Sequence, residues 1–157
     1  MIKIDKNSLN EISNLAASDK RRRKIKNFHQ NANDTLQRML NALQEDSYCR
    51  PHRHITPVKR EVFIILKGRI AVVEFDDDGG IIDSIVLDSS NGNYAVEITP
   101  KSWHTIVCFE DNSVLYEIKD GPYDAKTDKE FASWSPPEEN SEEGQTYLYK
   151  LKSYLKE

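Results

Sequence analysis

The residues most able to do chemistry lie close together in residues 50–68, RPHRHITPVKREVFIILKG. His52 and His54 are one residue apart, and side chains at i and i+2 of a strand point to the same face. Two imidazoles held side by side offer neutral nitrogen ligands to one ion, which suits Zn, Fe, Ni or Cu, and Mn once a carboxylate joins them. The spacing therefore predicts half of a metal site, and Glu61 is the next acid along the chain.

A third imidazole, His104, lies far along the chain in EITPKSWHTIVCF, before the strand-like residues 105–109. Three nitrogens and one oxygen from separate strands form a ligand set that leaves coordination positions open, as a reactive metal centre requires. Spacing alone leaves a second interpretation open, in which His52 and His54 are exposed loop residues and His104 is a hydrogen-bonded core histidine.

The composition is typical of one polar globular domain. The 157 residues are 38% hydrophobic and 31% charged, and no apolar run approaches the roughly 20 residues that span a bilayer. The first residues, MIKIDKNSLNEI, lack the continuous apolar stretch of a signal peptide. A net charge of -4 argues against a nucleic-acid binder. Because Cys49 and Cys108 are too few for a disulfide framework, we predict a cytoplasmic protein with reduced thiols.

Helices are predicted near the two ends of the chain. Ser8-Leu9-Asn10-Glu11 has the form of a capping box, which predicts a helix over about residues 9–17. Its apolar residues at helical spacing are Leu9, Ile12, Leu15 and Ala16. The last residues, TYLYKLKSYLKE, predict an amphipathic helix that packs on the barrel or on a second subunit. Its apolar residues are Tyr147, Leu151, Tyr154 and Leu155.

The basic run SDKRRRKIK follows the first predicted helix. We interpret it as a solvated helix end or loop. The functional alternative is an anion-binding edge over the site, for a phosphate or sulfate group.

Short strands are predicted through the middle of the chain. DTLQRMLNAL is interpreted as a strand, and residues 47–54 as extended. Further predicted strands cover residues 62–66, 69–75, 81–87, 94–98, 103–109 and 113–119. Many short strands divided by turn residues favour a sandwich or barrel. Residues 76–80, DDDGG, predict a hairpin turn rather than a calcium loop, because Leu87 stands where an EF-hand loop needs its glutamate.

Two motifs carry a resemblance to a known superfamily. H-x-H followed by Glu61 and Gly68, and then P-x3-H, resemble the two signature motifs of the cupins. The longer runs QRMLNALQEDSYCRPHRH, GRIAVVEFDDDG, VEITPKSWHT and EIKDGPYDAKTDKEFASWSP resemble the WbuC family of cupin-fold metalloproteins. That resemblance implies a mainly β chain with a single cupin-type jelly-roll barrel and one divalent transition metal, Zn, Fe, Mn or Ni. Family members are typically encoded with enzymes of surface-polysaccharide (O-antigen) biosynthesis.

The resemblance assigns the metal ligands to His52, His54 and Glu61 in the first motif and to His104 in the second. Six residues separate His54 from Glu61, whereas the general motif has three or four. Cys108 stands where the second motif usually has an asparagine. We divide the chain into an N-terminal helical segment (1–24), a cupin barrel (25–136) and a C-terminal tail with a short helix (137–157).

Substrate-binding candidates follow from strand alternation. Tyr48 and Arg50 are expected to face inward with the two histidines, and Cys49 to face outward. Either inward side chain is suited to a substrate carboxylate, phosphate or hydroxyl. Arg38, in QRMLN, is a third candidate. The structural alternatives are an ion pair for Arg50 and a core position for Tyr48, and His29 is interpreted as a structural loop residue.

Three functions compete at this point. The first is a metal-dependent enzyme acting on a sugar or nucleotide-sugar in surface-polysaccharide biosynthesis, by isomerisation or epimerisation, or by oxygen activation if the metal is iron. The second is a non-catalytic metal- and sugar-binding or regulatory cupin, which is favoured by the lack of an obvious general base besides the ligands. The third is a metal-free barrel. We expect a homodimer with a small-molecule substrate, no nucleic-acid partner and no membrane insertion.

Overall fold

Ten short strands and two α-helices are found within residues 1–138 and 141–155, the parts of the chain that this computed structural model describes. The helices are α1 (Lys6–Ser18) and α2 (Ser141–Tyr154). The strands are β1 (Arg23–Asn27), β2 (Leu36–Leu43), β3 (His52–Arg53), β4 (Glu61–Lys67), β5 (Ile70–Phe75), β6 (Ile81–Leu87), β7 (Ala95–Glu97), β8 (Trp103–Cys108), β9 (Ser113–Asp120) and β10 (Glu130–Phe131).

The strands form two antiparallel sheets, ordered β1-β2-β9-β4-β7 and β10-β3-β8-β5-β6. Side chains from both sheets meet in one apolar core, which contains Leu43, Phe63, Ile65, Ile70, Val72, Leu87, Ile98, Ile106, Cys108 and Leu115. Phe63 and Ile65 face into this core from β4, on the same side as Glu61. Such a core stabilises the fold because alternate residues of every strand leave water on the same side.

Helix α2 packs on the outer face of the second sheet. Leu148 and Leu151 are buried against residues of β5 and β8, among them Val73 and Val107. This second apolar layer explains why β5, IAVVEF, is buried on both faces. The predicted packing of the tail helix on the barrel is confirmed, although Tyr154 is exposed. Neither helix of the described residues is long and apolar enough to cross a membrane.

Helix α1 begins at Lys6, three residues earlier than predicted. Asp5 is the N-cap: its carboxylate accepts the Ser8 N–H at 2.9 Å, and the Ser8 hydroxyl accepts the Asp5 N–H at 2.9 Å. This reciprocal pair is a complete capping box, so Ser8 serves as its third helical residue and the cap predicted at Ser8 is wrong. Ile12 and Ala16 pack on the first sheet, whereas Leu15 is exposed.

The basic run ends in the edge strand β1, paired with β2 from Arg23–Leu43 to Asn27–Met39. The interpretation as a helix end or loop holds for residues 18–22, which are the end of α1 and a turn. From Arg23 onward it is wrong, because the free edge of β2 supplies backbone partners for these residues. Alternation divides their side chains. Lys24 and Lys26 form exposed ion pairs, whereas Arg23, Ile25 and Asn27 line a cavity.

The acidic turn at residues 76–80 connects β5 to β6 as predicted. The Asp76 carboxylate accepts the N–H groups of Asp78 at 3.0 Å and Gly80 at 2.7 Å. Gly79 has a φ of 88°, a left-handed conformation that glycine adopts at low cost. The hairpin therefore uses its acids to satisfy backbone donors.

Candidate metal centre

Four buried side chains converge between the two sheets. His52 lies on β3 and is paired in register with His104 on β8, so their side chains are cross-strand neighbours. His54 follows β3 directly, and Glu61 opens β4 in the opposite sheet. All four are buried, and their possible ligand atoms lie within 4.8 Å of one another. The structure thus brings together the four residues that the sequence singles out.

Backbone carbonyls fix the tautomer of each imidazole. Nδ1 of His52 lies 3.0 Å from the Arg50 carbonyl, Nδ1 of His104 lies 3.0 Å from the Ser102 carbonyl, and Nδ1 of His54 contacts the Asp128 carbonyl. A carbonyl oxygen only accepts, so each Nδ1 must donate its hydrogen. In the neutral ring the lone pair then lies on Nε2, the atom that would bind a metal.

The inward nitrogens face a carboxylate. Nε2 of His54 and Nε2 of His104 lie 3.1 Å and 2.9 Å from the same Glu61 oxygen. Burial disfavours the charged form of Glu61, but the two neighbouring histidines outweigh it and hold its pKa well below the usual range. Lone pairs and an anion at these distances repel unless a cation or added protons lie between them. Three imidazole nitrogens and one carboxylate oxygen fit a divalent transition metal.

Burial and the charges of Lys129 and His104 lower the pKa of His52 well below its ordinary value. A buried imidazole that resists protonation stays in the form that binds metals.

A buried ion network supports His54. The Asp128 carboxylate lies 2.6 Å from Nζ of Lys59 and 2.9 Å from Nζ of Lys119, and all three side chains are almost fully buried. Burial raises the pKa of Asp128, and the two lysines outweigh that effect, so the net shift is downward. This network positions the backbone carbonyl that orients the His54 ring.

The six residues between His54 and Glu61 form a turn closed by a bridge between Ile55 and Val58. Lys59 anchors this turn through Asp128 and the Pro122 carbonyl. The long spacing that departs from the general motif is thus accommodated, and Glu61 returns to the histidines.

A cavity of about 480 Å³ opens from the cluster. Its wall combines apolar side chains with an unusual number of charged ones. The charged lining residues are Arg21, Arg23, Arg50, Glu61, Glu117, Lys119, Asp128, Lys129 and Glu138. A pocket of this size with convergent polar groups is suited to a small polar molecule.

Glu117 is a buried carboxyl group beside the cluster that sequence reasoning missed. Burial and the nearby Glu61 raise its pKa to about 7, so it exchanges a proton near neutral pH. Asn41 Nδ2 donates to it at 3.0 Å, while Asn41 Oδ1 is buried with no partner among the described residues. The available signal was strand alternation, since Glu117 shares the inward face of β9 with Leu115.

Arg50 lines the cavity as predicted, whereas Tyr48 does not. The Tyr48 hydroxyl donates to the Pro136 carbonyl at 2.8 Å, and its ring packs with α2. Cys49 faces the cavity instead, so the predicted orientations of Tyr48 and Cys49 are both wrong. Strict alternation fails here because β3 comprises only His52–Arg53 and residues 47–51 are irregular.

Arg38 contacts the Phe28 carbonyl at 3.3 Å and the Asp34 carboxylate at 3.7 Å, away from the cavity lining. Substrate contact by Tyr48, Arg50 and Arg38 is untested and stays a prediction.

Residues 4–87, more than half of the chain, match the model of a family described as "Domain of unknown function (DUF6016)". The chain belongs to this family. The match includes His52, His54 and Glu61 and ends before His104. No curated protein matches the chain.

Solved structures similar to this DUF6016 chain include L-ribose isomerase from Cellulomonas parahominis with L-psicose, at 15% identity and a TM-score of 0.55 over 78% of this chain and 72% of that chain. Another is the capsular polysaccharide assembling protein CapF from Staphylococcus aureus, at 20% identity and a TM-score of 0.50 over 63% and 27%. A third is the Cnp3 cupin domain of Schizosaccharomyces pombe, at 12% identity and a TM-score of 0.48 over 62% and 64%.

The chain spans about a quarter of CapF and just under two thirds of the Cnp3 domain. At these identities the likeness shows the fold alone. The DUF6016 chain has a cupin-type fold, which confirms the predicted mainly β architecture with a helix near each end.

Proposed function

We propose that this DUF6016 protein is a metal-dependent cupin that acts on a sugar or nucleotide-sugar in surface-polysaccharide biosynthesis, as an isomerase or epimerase. The observation that carries the proposal is the convergence of three buried imidazoles and Glu61 beside a cavity with many charged lining residues. Two structural neighbours, an L-ribose isomerase and a capsular polysaccharide assembling protein, support the substrate class by their names. The WbuC resemblance supports the pathway.

A divalent metal held by His52, His54, Glu61 and His104 would supply Lewis acidity to a carbonyl or vicinal hydroxyls of the sugar. The chain's own residues would do the rest. Glu117 is placed to take a proton from one substrate carbon and return it to the adjacent carbon, which aldose–ketose isomerisation requires. The unpartnered Oδ1 of Asn41 would accept a hydrogen bond from a sugar hydroxyl, orienting the ring beside Glu117.

Metal content tests the proposal directly. Protein purified without a histidine tag is expected to carry about one divalent metal per chain by mass spectrometry, and His54→Ala to lose most of it, because one of four ligands is gone. The matched control is His29→Ala, which removes a cavity-lining imidazole that lies outside the cluster. Full metal retention in His54→Ala would contradict the proposal.

Catalysis is tested separately from metal binding. Turnover of nucleotide-sugars followed by NMR is expected for the metal-loaded protein and is expected to be lost in Glu117→Gln, which keeps the four candidate ligands. Saturable sugar binding without turnover, for each of Zn, Fe, Mn and Ni, would instead indicate the non-catalytic binding role. The homodimer and the cytoplasmic location stay predictions.

A further inference from the structure

The carboxylate of Glu138 lies at the cavity wall and receives three donors. Nη2 of Arg23 approaches it at 2.6 Å, Nη2 of Arg21 at 3.0 Å, and the backbone N–H of Arg50 at 3.3 Å. Arg23 is the first residue of β1, Arg21 lies in the turn before it, and Arg50 lies in the segment before β3. Glu138 itself comes after β10, so a carboxylate from late in the chain contacts three arginines from its first third. We call Arg21, Arg23 and Arg50 the basic corner of the cavity.

Among the described residues, the three arginines of this corner outnumber their carboxylate partners. Arg21, Arg23 and Arg50 line the cavity there, and Glu138 pairs with Arg21 and Arg23. This excess of positive charge occurs in a protein whose net charge is -4. Its effect is to raise the local concentration of anions at the cavity.

Among the residues that the structure describes, the Arg50 guanidinium has no counter-ion. It donates to the Ser135 hydroxyl at 3.2 Å and to the Ala132 carbonyl at 2.9 Å, both of them neutral acceptors. Within residues 1–138 and 141–155, no carboxylate forms an ion pair with it. Its planar fork is suited to the paired oxygens of a phosphate or carboxylate.

The position of Glu138 allows its carboxylate to leave the arginines. Its side chain is 26% exposed, it belongs to no strand, and its partner Arg21 is 62% exposed. The pair with Arg21 is exposed and contributes little to stability, so a competing anion has a small penalty to overcome there. The Arg23 side chain is only 10% exposed, so the ligand anion must replace Glu138 as its partner. Burial raises the pKa of Glu138, and Arg23 and Arg21 outweigh it, so the group is an anion at neutral pH.

We propose that Glu138 occupies the binding position of an anionic group of the ligand, a phosphate or a carboxylate. The ligand anion displaces the Glu138 carboxylate and binds Arg21, Arg23 and Arg50 in its place. The ligand class is thereby an acidic or phosphorylated sugar, with its anionic group at the basic corner and its hydroxyls toward Asn41 and the histidines. The assignment of a sugar as the ligand rests on the proposed function. The assignment of the anion site does not, because it depends on the arginines alone.

Binding of inorganic phosphate, measured by titration calorimetry, tests the site. Glu138→Gln removes the internal anion and keeps the side chain's size, so phosphate is expected to bind about tenfold tighter than to the wild type. The matched control is Asp46→Asn, which removes the same charge from an exposed pair with Arg22, outside the cavity. Equal affinities of Glu138→Gln and wild type, or equal gains in both variants, would overturn the proposal.

The donors are tested in the Glu138→Gln background. Arg23→Gln is expected to weaken phosphate binding about tenfold, whereas Lys24→Gln, the next cation of the run, is expected to leave it unchanged because Lys24 pairs with Asp19 away from the cavity. Since Arg23 also donates to the Tyr48 carbonyl, the exposed Arg21→Gln provides a second variant if Arg23→Gln fails to fold. Equal losses for Lys24→Gln and both arginine variants would refute a specific site.

Two further arms separate the anion site from the metal proposal and define the anion. Phosphate is expected to bind His54→Ala, in the same Glu138→Gln background, as tightly as it binds the parent. Loss of binding there would place the anion at the histidines and overturn the proposal. Glucose 6-phosphate or glucuronate is expected to bind at least about tenfold tighter than glucose, and the stronger of the two identifies the anion. Equal binding of all three sugars would refute an anion site.

Discussion

At the scale of single residues, the three histidines share one arrangement. Each gives Nδ1 to a backbone carbonyl, from Arg50, Asp128 or Ser102. His54 and His104 turn Nε2 toward Glu61. Because backbone atoms select the tautomer, it survives most substitutions of the surrounding side chains. The centre is therefore preorganised by the main chain, and only the ligands themselves are indispensable to its donor set.

The two cysteines are expected to differ in reactivity. Cys108 is fully buried, its thiol donates to the Glu110 carbonyl at 3.0 Å, and burial raises its pKa to about 11. Its sulfur stays protonated and inert at pH 8. Cys49 is half-buried and lines the cavity. The native protein should release about one equivalent of chromophore from a disulfide reagent such as dithionitrobenzoate, and the urea-unfolded protein about two. Rapid labelling of native Cys49→Ser would contradict this expectation.

At the scale of elements, the polar loop that follows β9 supports the candidate metal centre. Asp128 is held between two buried lysines, and its carbonyl orients His54. The loop therefore couples the first sheet, which carries Lys119 on β9, to the candidate ligands on the second sheet. Its charges are buried, so breaking the network costs far more than breaking a surface ion pair.

Asp128→Asn is expected to lower the free energy of unfolding by about 3–5 kcal/mol, because it leaves two buried lysines without their shared anion. The wild-type pKa of Asp128 is depressed, so its contribution is present above the ordinary value of 3.8 and is lost as the pH falls through the folded-state value. Urea denaturation at neutral and acid pH measures both effects. Asp120→Asn, which breaks an exposed pair with Arg60, should cost less than about 1 kcal/mol. Equal costs for the two variants would exclude a buried network.

The docking of α2 explains the orientation of Tyr48. Gly144 lies directly against the Tyr48 ring, where an added Cβ would stand 2.7 Å from Cδ1. This close approach gives Tyr48 an apolar partner outside the barrel, and Leu148 and Leu151 extend the contact. The side chain therefore turns away from the cavity, and its burial against α2 removes apolar surface from water.

At the scale of the whole molecule, metal binding and folding are expected to be linked. The candidate ligands come from both sheets, so the site exists only in the folded chain. At a free metal concentration about 100-fold above Kd, binding adds about 2.7 kcal/mol to the free energy of unfolding. For a domain of this size that raises Tm by about 5–10 °C. Thermal unfolding with and without a chelator measures the shift. His54→Ala should show no shift, and an equal chelator effect in both proteins would refute the linkage.

The local sequence pattern by itself determined many of the secondary-structure elements and the candidate metal ligands. Residues 81–87 have the predicted strand bounds, the two terminal helices and the acidic hairpin are present, and the three histidines and Glu61 meet as their spacing indicates. These features depend on the period of side-chain direction and on turn chemistry, which act over a few residues. The cupin motifs then indicate which distant strands share a face.

Only the tertiary structure decided the rest of the site. Glu117 faces inward beside Glu61, Tyr48 turns outward to α2, and Glu138 reaches Arg23 across 115 positions of the chain. Each of these placements results from competition between burial, charge pairing and the packing of elements far apart in sequence. Local propensity does not report the result of that competition. From sequence alone, a solvent-exposed glutamate therefore cannot be distinguished from a buried one such as Glu117, because only the assembled sheets determine its burial.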